Sequence, residues 1–226
     1  MFLFLFNIIM GADTVASLAD IPFPQYFTPS IAVFAVMTAC YTNLAIMTSI
    51  DRDEGILKRI RGTPLSPGVY LSARAAAASA VGVTSVLAMF AAGAAFFDFE
   101  ILWERVGYAT GILILGSVTF SVLGLALAGA APNGQSTPAI TNATILPLAF
   151  LSGVFIPIES GWVNSLASVF PVRPFVLLFT AQWNPSVSAG VSDLAVMVAW
   201  SAVGVVVARH TFTWEPRPGG RRRSLA

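Results

Sequence analysis

The chain has 226 residues, 56% of them hydrophobic and 10% charged, where a soluble domain carries about 45–50% and about 25%. That balance excludes an ordinary water-soluble fold and points to an all-α, polytopic membrane protein with no nucleic-acid partner. The net charge of +1 is uninformative as a total, because in a membrane protein the side on which each charge lies is what matters.

Crossing roughly 30 Å of hydrocarbon takes about 20 mainly apolar residues. Met1 to Ala12 is apolar but reaches only about 18 Å as a helix before Asp13. It has neither the basic start nor the small-residue cleavage site of a secretory signal, and is read as the second half of a first span. Upstream residues are accordingly expected, about ten more apolar ones preceded by a basic amphipathic helix; the alternative is five full spans with a short outer-leaflet stub. Five full spans follow, approximately Pro29 to Ile50, Val69 to Phe97, Val106 to Ala131, Thr137 to Pro157 and Gly190 to Ala208. Together they make one transmembrane domain over residues 1–226. The only cysteine, Cys40, lies inside an apolar run, so an internal disulfide and a cysteine-based metal cage are both ruled out.

Basic residues orient the spans. If the 51–68 loop is cytoplasmic, ten Lys and Arg fall inside: Arg52, Lys58, Arg59, Arg61, Arg74, Arg209, Arg217, Arg221, Arg222 and Arg223. Only Arg105 and Arg173 then lie outside. This bias places the 51–68 loop and the basic tail 209–226 in the cytoplasm, and the 158–189 loop outside. The terminal Arg cluster reads as an anchor to anionic lipid.

The stretch DRDEGILKRIRGTPL, from Asp51, holds seven charged residues of mixed sign, more than orientation requires. Ile56, Leu57 and Ile60 share a face, which predicts a short amphipathic helix. Asp51, Asp53 and Glu54 would occupy its first turn and Lys58, Arg59 and Arg61 its end, matching the helix dipole. Glu54 and Lys58 also stand at i, i+4. Thr63, Pro64 and Pro67 would end the helix, leaving a rigid charged projection suited to a soluble partner.

In the fourth full span, Pro147 predicts a kink, and Ser152 and Gly153 are small enough for close helix contact. Ser152 has no His or acid at a spacing that would make it a nucleophile. Beyond Pro157, the apolar spacing of Trp162, Val163, Leu166, Ala167 and Phe170 predicts short half-inserted helices, broken at Pro171 and Pro174. Trp162 and Trp183 are expected at the bilayer interface.

DRDEGILKRIRGTPLSP resembles the cytoplasmic signature loop of permease subunits of type-2 ATP-binding cassette (ABC-2) exporters. Asp51, Arg52, Gly55, Arg59, Thr63, Pro64 and Leu65 fall on that pattern, while Asp53, Ile56 and Ile60 replace the usual Glu, Thr and Leu. The second stretch, ILPLAFLSGVFIPIESGWVNSLASVFPVRPF, is similar to the last core segment of the same family at Leu151, Ser152, Gly153, Val154, Phe155, Pro157 and Pro171. The resemblance implies a dimer of permease chains, identical or different, working with separate ATPase subunits in the cytoplasmic (inner) membrane. It assigns ATPase coupling to Asp51, Arg52, Asp53, Glu54, Gly55, Lys58, Arg59, Arg61, Thr63 and Pro64. Gating of the outer segment falls to Pro147, Ser152, Gly153, Pro157 and Pro171.

Two other classes fit less well. An ion-coupled secondary transporter normally carries an ionisable group within the membrane, and none stands near the middle of a span. Arg74 and Asp193 lie close enough to span ends to snorkel. A membrane enzyme would gather several His, Asp or Glu at one depth, whereas His210 is the only histidine. The sequence also has no Gly-x-x-x-x-Gly-Lys-Ser/Thr loop to cradle a nucleotide, so catalytic, metal and cofactor sites are not expected on this chain. A drug-like or antibiotic-like hydrophobic or amphipathic cargo is expected, with lipid or glycan precursors as the alternative.

The orientation can be tested directly. In a Cys40→Ala background, cysteines at Ser66 and Ser224 should be protected from an impermeant thiol reagent in intact cells, and one at Ser160 should react. Labelling at Ser224 but not at Ser160 would reverse the assignment.

Overall fold

The computed structural model describes residues 14–15, 21–155 and 161–213. The Met1 to Ala12 segment, Pro157 and the tail beyond residue 213 lie outside the described residues. Apart from a two-residue antiparallel pair, β1 (Thr14–Val15) with β2 (Ile21–Pro22), the described elements are helical. Helix α1 (Phe23–Met37) passes through a π-helical turn (Thr38–Asn43) into α2 (Leu44–Asp53), a continuous run of 31 residues. Then come α3 (Ile56–Arg61), α4 (Pro67–Phe96), α5 (Val106–Ala130), α6 (Thr137–Leu151), α7 (Gly161–Ala167), α8 (Val172–Thr180) and α9 (Val191–Thr211).

Four of these runs, Phe23–Asp53, α4, α5 with its preceding turn, and α9, are long and apolar enough to cross a membrane. The expected span from Thr137 is shorter than the sequence implies. It has 15 residues, about 22 Å at 1.5 Å per residue, and stops at Leu151 rather than Pro157. The cause is Gly153, whose φ of +78° is readily available only to glycine. This turn lets the Val154 N–H donate to Ala149 O at 3.3 Å and closes the helix in a Schellman motif. Helices α7 and α8 form a pair bent by 102°. The break falls before α8, where Pro171 is the N-cap residue, while Pro174 sits in the first turn of α8 without interrupting it, as proline can at a helix start.

Helix α5 is central, packing on α1, the π turn, α2, α4, α8 and α9. Two glycines permit its close contacts. A Cβ at Gly124 would lie 2.8 Å from the carbonyl oxygens of Cys40 and Tyr41 in the π turn, and one at Gly116 would lie 2.2 Å from the Phe175 ring of α8. At the end away from α3, Phe90, Phe99, Phe179 and Trp183 form an aromatic cluster in which Phe90 and Trp183 meet nearly perpendicular at 4.9 Å. Trp183 is thus a core residue, 3% exposed, and not the interfacial anchor its type suggests. Its ring fills the space beside Phe90, and Gln25 donates to its backbone carbonyl at 2.9 Å.

At the α3 end, one side chain ties α2 to the end of α5. Arg52, in the last turn of α2, is 2% exposed. Its guanidinium donates to Ala128 O at 2.8 Å and to Ala131 O at 3.1 Å, both among the terminal carbonyls of α5 that have no partner within the helix. Its Nε donates to Asp53 at 3.2 Å, and the other Asp53 oxygen accepts from the Gly134 N–H at 2.6 Å. Ser49 adds a bond to Thr137 Oγ1 at 2.9 Å, and Asp51 pairs with Arg74 of α4 at 2.6 Å. The end of α2 is thereby fastened to α4, α5 and the α5–α6 turn.

Arg52→Ala should therefore destabilise the fold by roughly 3 kcal/mol, the loss typical of breaking a buried charged network. Arg52→Lys should recover only part of it, because one ammonium lacks the planar fork that reaches two carbonyls and a carboxylate together. Lys58→Ala, at an exposed position, should stay within about 0.5 kcal/mol. Thermal melts of the detergent-solubilised protein, followed by size-exclusion recovery, read this order directly.

Candidate functional site

The charged loop is built differently from one amphipathic helix. Gly55 adopts φ +75° and separates α2 from α3, so Asp51, Arg52 and Asp53 belong to the end of α2, not to the first turn of α3. At that end two carboxylates oppose the helix dipole, an arrangement offset by their bonds to Arg74, Arg52 and the Gly134 N–H. Nor do Glu54 and Lys58 share a helix, as their spacing implied. Leu57 anchors α3 with no exposed surface, Ile60 is half-buried and Ile56 is exposed. Thr63 Oγ1 donates to Ile60 O at 2.6 Å, capping the last turn before Pro64 and Pro67.

The loop residues therefore divide into two sets. Asp51, Arg52 and Asp53 are engaged within the chain, while Glu54, Lys58, Arg59, Arg61, Thr63 and Pro64 form an exposed, mainly basic ridge on α3 and its flanks. Gly55 supplies the turn that separates them.

At the opposite end, Ser152 and Gly153 sit where α6 stops, beside α1 and α8. Tyr26 of α1 donates its hydroxyl to Gly153 O, and Arg173 of α8 donates to Ser152 O at 3.5 Å. Pro171 opens α8, and Pro147 lies inside α6. Arg173, counted from sequence as a loop residue, is 8% exposed. Nothing in its local sequence marked it as buried, because the bent α7–α8 pair that encloses it is a tertiary feature.

Midway along the 31-residue run lies a polar feature that the hydrophobic pattern hid. Thr38 and Asn43, in the π turn, are exposed, and Tyr41 is half-buried with its hydroxyl 2.8 Å from Thr144 Oγ1 of α6. Asn142 and Thr144 on α6 are exposed as well. π-turns occur often at functional positions; Thr38 satisfies its hydroxyl on Phe34 O at 2.9 Å, whereas hydrocarbon offers the exposed amides of Asn43 and Asn142 no hydrogen-bond partner. Beside the Tyr41–Thr144 pair, an apolar cavity of 340 Å³ opens between α5, α6, α8 and α9, lined among others by Phe120, Leu148, Phe170 and Trp200.

The family model described as "ABC-2 type transporter" matches residues 1–182, a stretch that includes the charged loop, the π turn and the α6–α8 region. The chain is also similar to the "Putative transport permease YvfS" of Bacillus subtilis (strain 168), 28% identical over 168 residues that cover 73% of this chain and 62% of that relative. The matched region thus spans less than two thirds of the relative's length. With several apolar helices long enough to span a bilayer and a family match over most of its length, the chain is a multi-pass membrane protein that belongs to the ABC-2 type transporter family.

Proposed function

We propose that this chain is the membrane-spanning subunit of an ATP-driven exporter, powered by a separate cytoplasmic ATPase that docks on α3. The observation that carries this reading is the division of labour in the charged loop. The ridge of Glu54, Lys58, Arg59 and Arg61 is exposed, while its buried Leu57 and the Arg52–Asp53 network beside it join it to the bundle. A surface meant only to orient the chain would not need so rigid a seat.

In this mechanism the ATPase pushes on α3, and the displacement enters the bundle through the end of α2. Arg52 carries it to the C-terminus of α5, Asp53 to the α5–α6 turn and Asp51 to α4. Repacking of these helices then exposes the pathway on the other side, as a shift between two packed states. Gly153 and Pro171 would act as outer hinges, with Pro147 loosening α6 between them. Asn43 and Asn142 would face the pathway or the second permease chain, identical or different, since exposed amides at that depth need a polar neighbour. The apolar cavity beside Tyr41 and Thr144 supports a hydrophobic or amphipathic cargo of the drug or antibiotic kind, with lipid or glycan precursors as the alternative class. The basic residues of the loop and tail support a cytoplasmic position for α3, with the chain in the inner membrane.

Glu54→Lys combined with Arg59→Glu should lower ATP-dependent efflux more than about tenfold, the loss expected when interfacial charge contacts worth a few kcal/mol are reversed. Membrane insertion should be unchanged. Recovery of the ATPase in a pull-down should fall in parallel, and normal recovery with normal efflux would remove the coupling role from α3.

A further inference from the structure

A second hollow shares no lining residue with the cavity beside Tyr41 and Thr144. It runs between α4 and α9 over α5 and encloses 720 Å³. Small side chains on α4, Ala75 and Ala76 among them, leave it open, and Leu71, Val122 and Val205 make its walls apolar. It reaches from Gly68 at the start of α4 to Ser79, a rise of about 16 Å, or half the thickness of a hydrocarbon core of roughly 30 Å.

The mouth and the interior differ in chemistry. Arg209, in the last turn of α9, stands at the α3 end of the groove. It makes no ion pair among the described residues, and no carboxylate lines the groove. Its position is fixed, because Thr211 Oγ1 donates to Ala126 O at 3.2 Å and holds the end of α9 on α5. Further in, Ser121 lines the groove at 1% exposure, with the Cys40 thiol of the π turn beside its hydroxyl. The contacts of Ser201 with Thr119 and of the Thr211 backbone with Gly129 set Arg209 level with Leu127, so by the rise along α5 Ser121 lies about 9 Å deeper than Arg209.

We propose that this groove is a binding site for one anionic glycerophospholipid of the adjoining leaflet. The phosphate pairs with Arg209, and one acyl chain passes Ser121 and fills the apolar channel as far as Ser79. Two parts match the lipid in order: a cation at the boundary without a carboxylate beside it, and below it a hydrocarbon-lined channel one leaflet long. A zwitterionic lipid fits the channel equally but brings its own cation to Arg209. This site is independent of the exporter reading and of the α3 ridge.

Native mass spectrometry of the delipidated full chain, titrated with phosphatidylglycerol and phosphatidylcholine of identical acyl chains, tests the site. The wild type should retain one phosphatidylglycerol about fivefold more strongly than phosphatidylcholine, the preference that one Arg gives near a membrane surface. Arg209→Gln, at an exposed position, should erase that preference while leaving channel binding in place. Ala75→Phe should block the channel and weaken retention of both lipids. Equal retention by the wild type, or an undiminished preference in Arg209→Gln, overturns the proposal. So does displacement of the lipid by inorganic phosphate, or an Ala75→Phe chain that loses self-association and keeps its lipid. If Ala75→Phe does not fold, the Arg209→Gln comparison decides alone.

Discussion

A helix that ends inside a packed bundle leaves carbonyls without partners, and in this chain the guanidinium of Arg52 resolves that problem for α5. Its bonds to Ala128 and Ala131 satisfy carbonyls that water would otherwise serve, and Asp53 balances its charge at 3.2 Å. A buried cation on its own would be costly. Here it neutralises the negative end of the α5 dipole and fixes where α2 must finish. The position of α3 follows, because only Gly55 separates its first residue from Glu54, and Leu57 seats it against the bundle.

The same economy recurs at the other end. Gln25 bridges the backbone of Glu100 and Trp183, Tyr26 reaches Gly153, and Arg173 reaches Ser152. Side chains of α1 and α8 thus serve backbone that the short α6 and the bent α7–α8 pair leave outside regular helix, the condition under which irregular backbone persists at membrane depth. Between the two ends, α5 approaches the π turn so closely that only glycine fits at position 124. The bundle is therefore tied tightly at its ends, while the middle of its longest run carries a turn that departs from α-helical bonding. On the proposed mechanism, force applied at α3 is delivered to that middle.

Much of this was legible in the sequence. The apolar runs gave the long helices, because hydrophobic length is decided by composition alone, and the charged loop with its Thr-Pro-Leu ending pointed to the family that the comparison then showed. Other features were hidden for physical reasons. Arg52 and Asp53 look like surface charges, since nothing local reveals that α5 ends beside them. Gly55 was legible as a motif residue, but its left-handed backbone, which splits the expected helix in two, was not. Gly153 shortens α6 in the same way. Trp183 and Arg173 were assigned to the boundary and the loop by residue type, and tertiary packing buries both. The π turn leaves no hydrophobic signature, because one extra residue per turn barely alters an apolar pattern.

The central claim is that α3 is the surface through which a separate ATPase drives this chain, and the most direct measurement is site-specific photocrosslinking in the native membrane. A benzophenone amino acid at Lys58 should, on irradiation, give an adduct with a cytoplasmic protein carrying a nucleotide-binding loop, identified by mass spectrometry. The same probe at Trp162 should give no such adduct. The absence of an ATPase adduct from position 58, or equal adducts from both positions, would contradict the account.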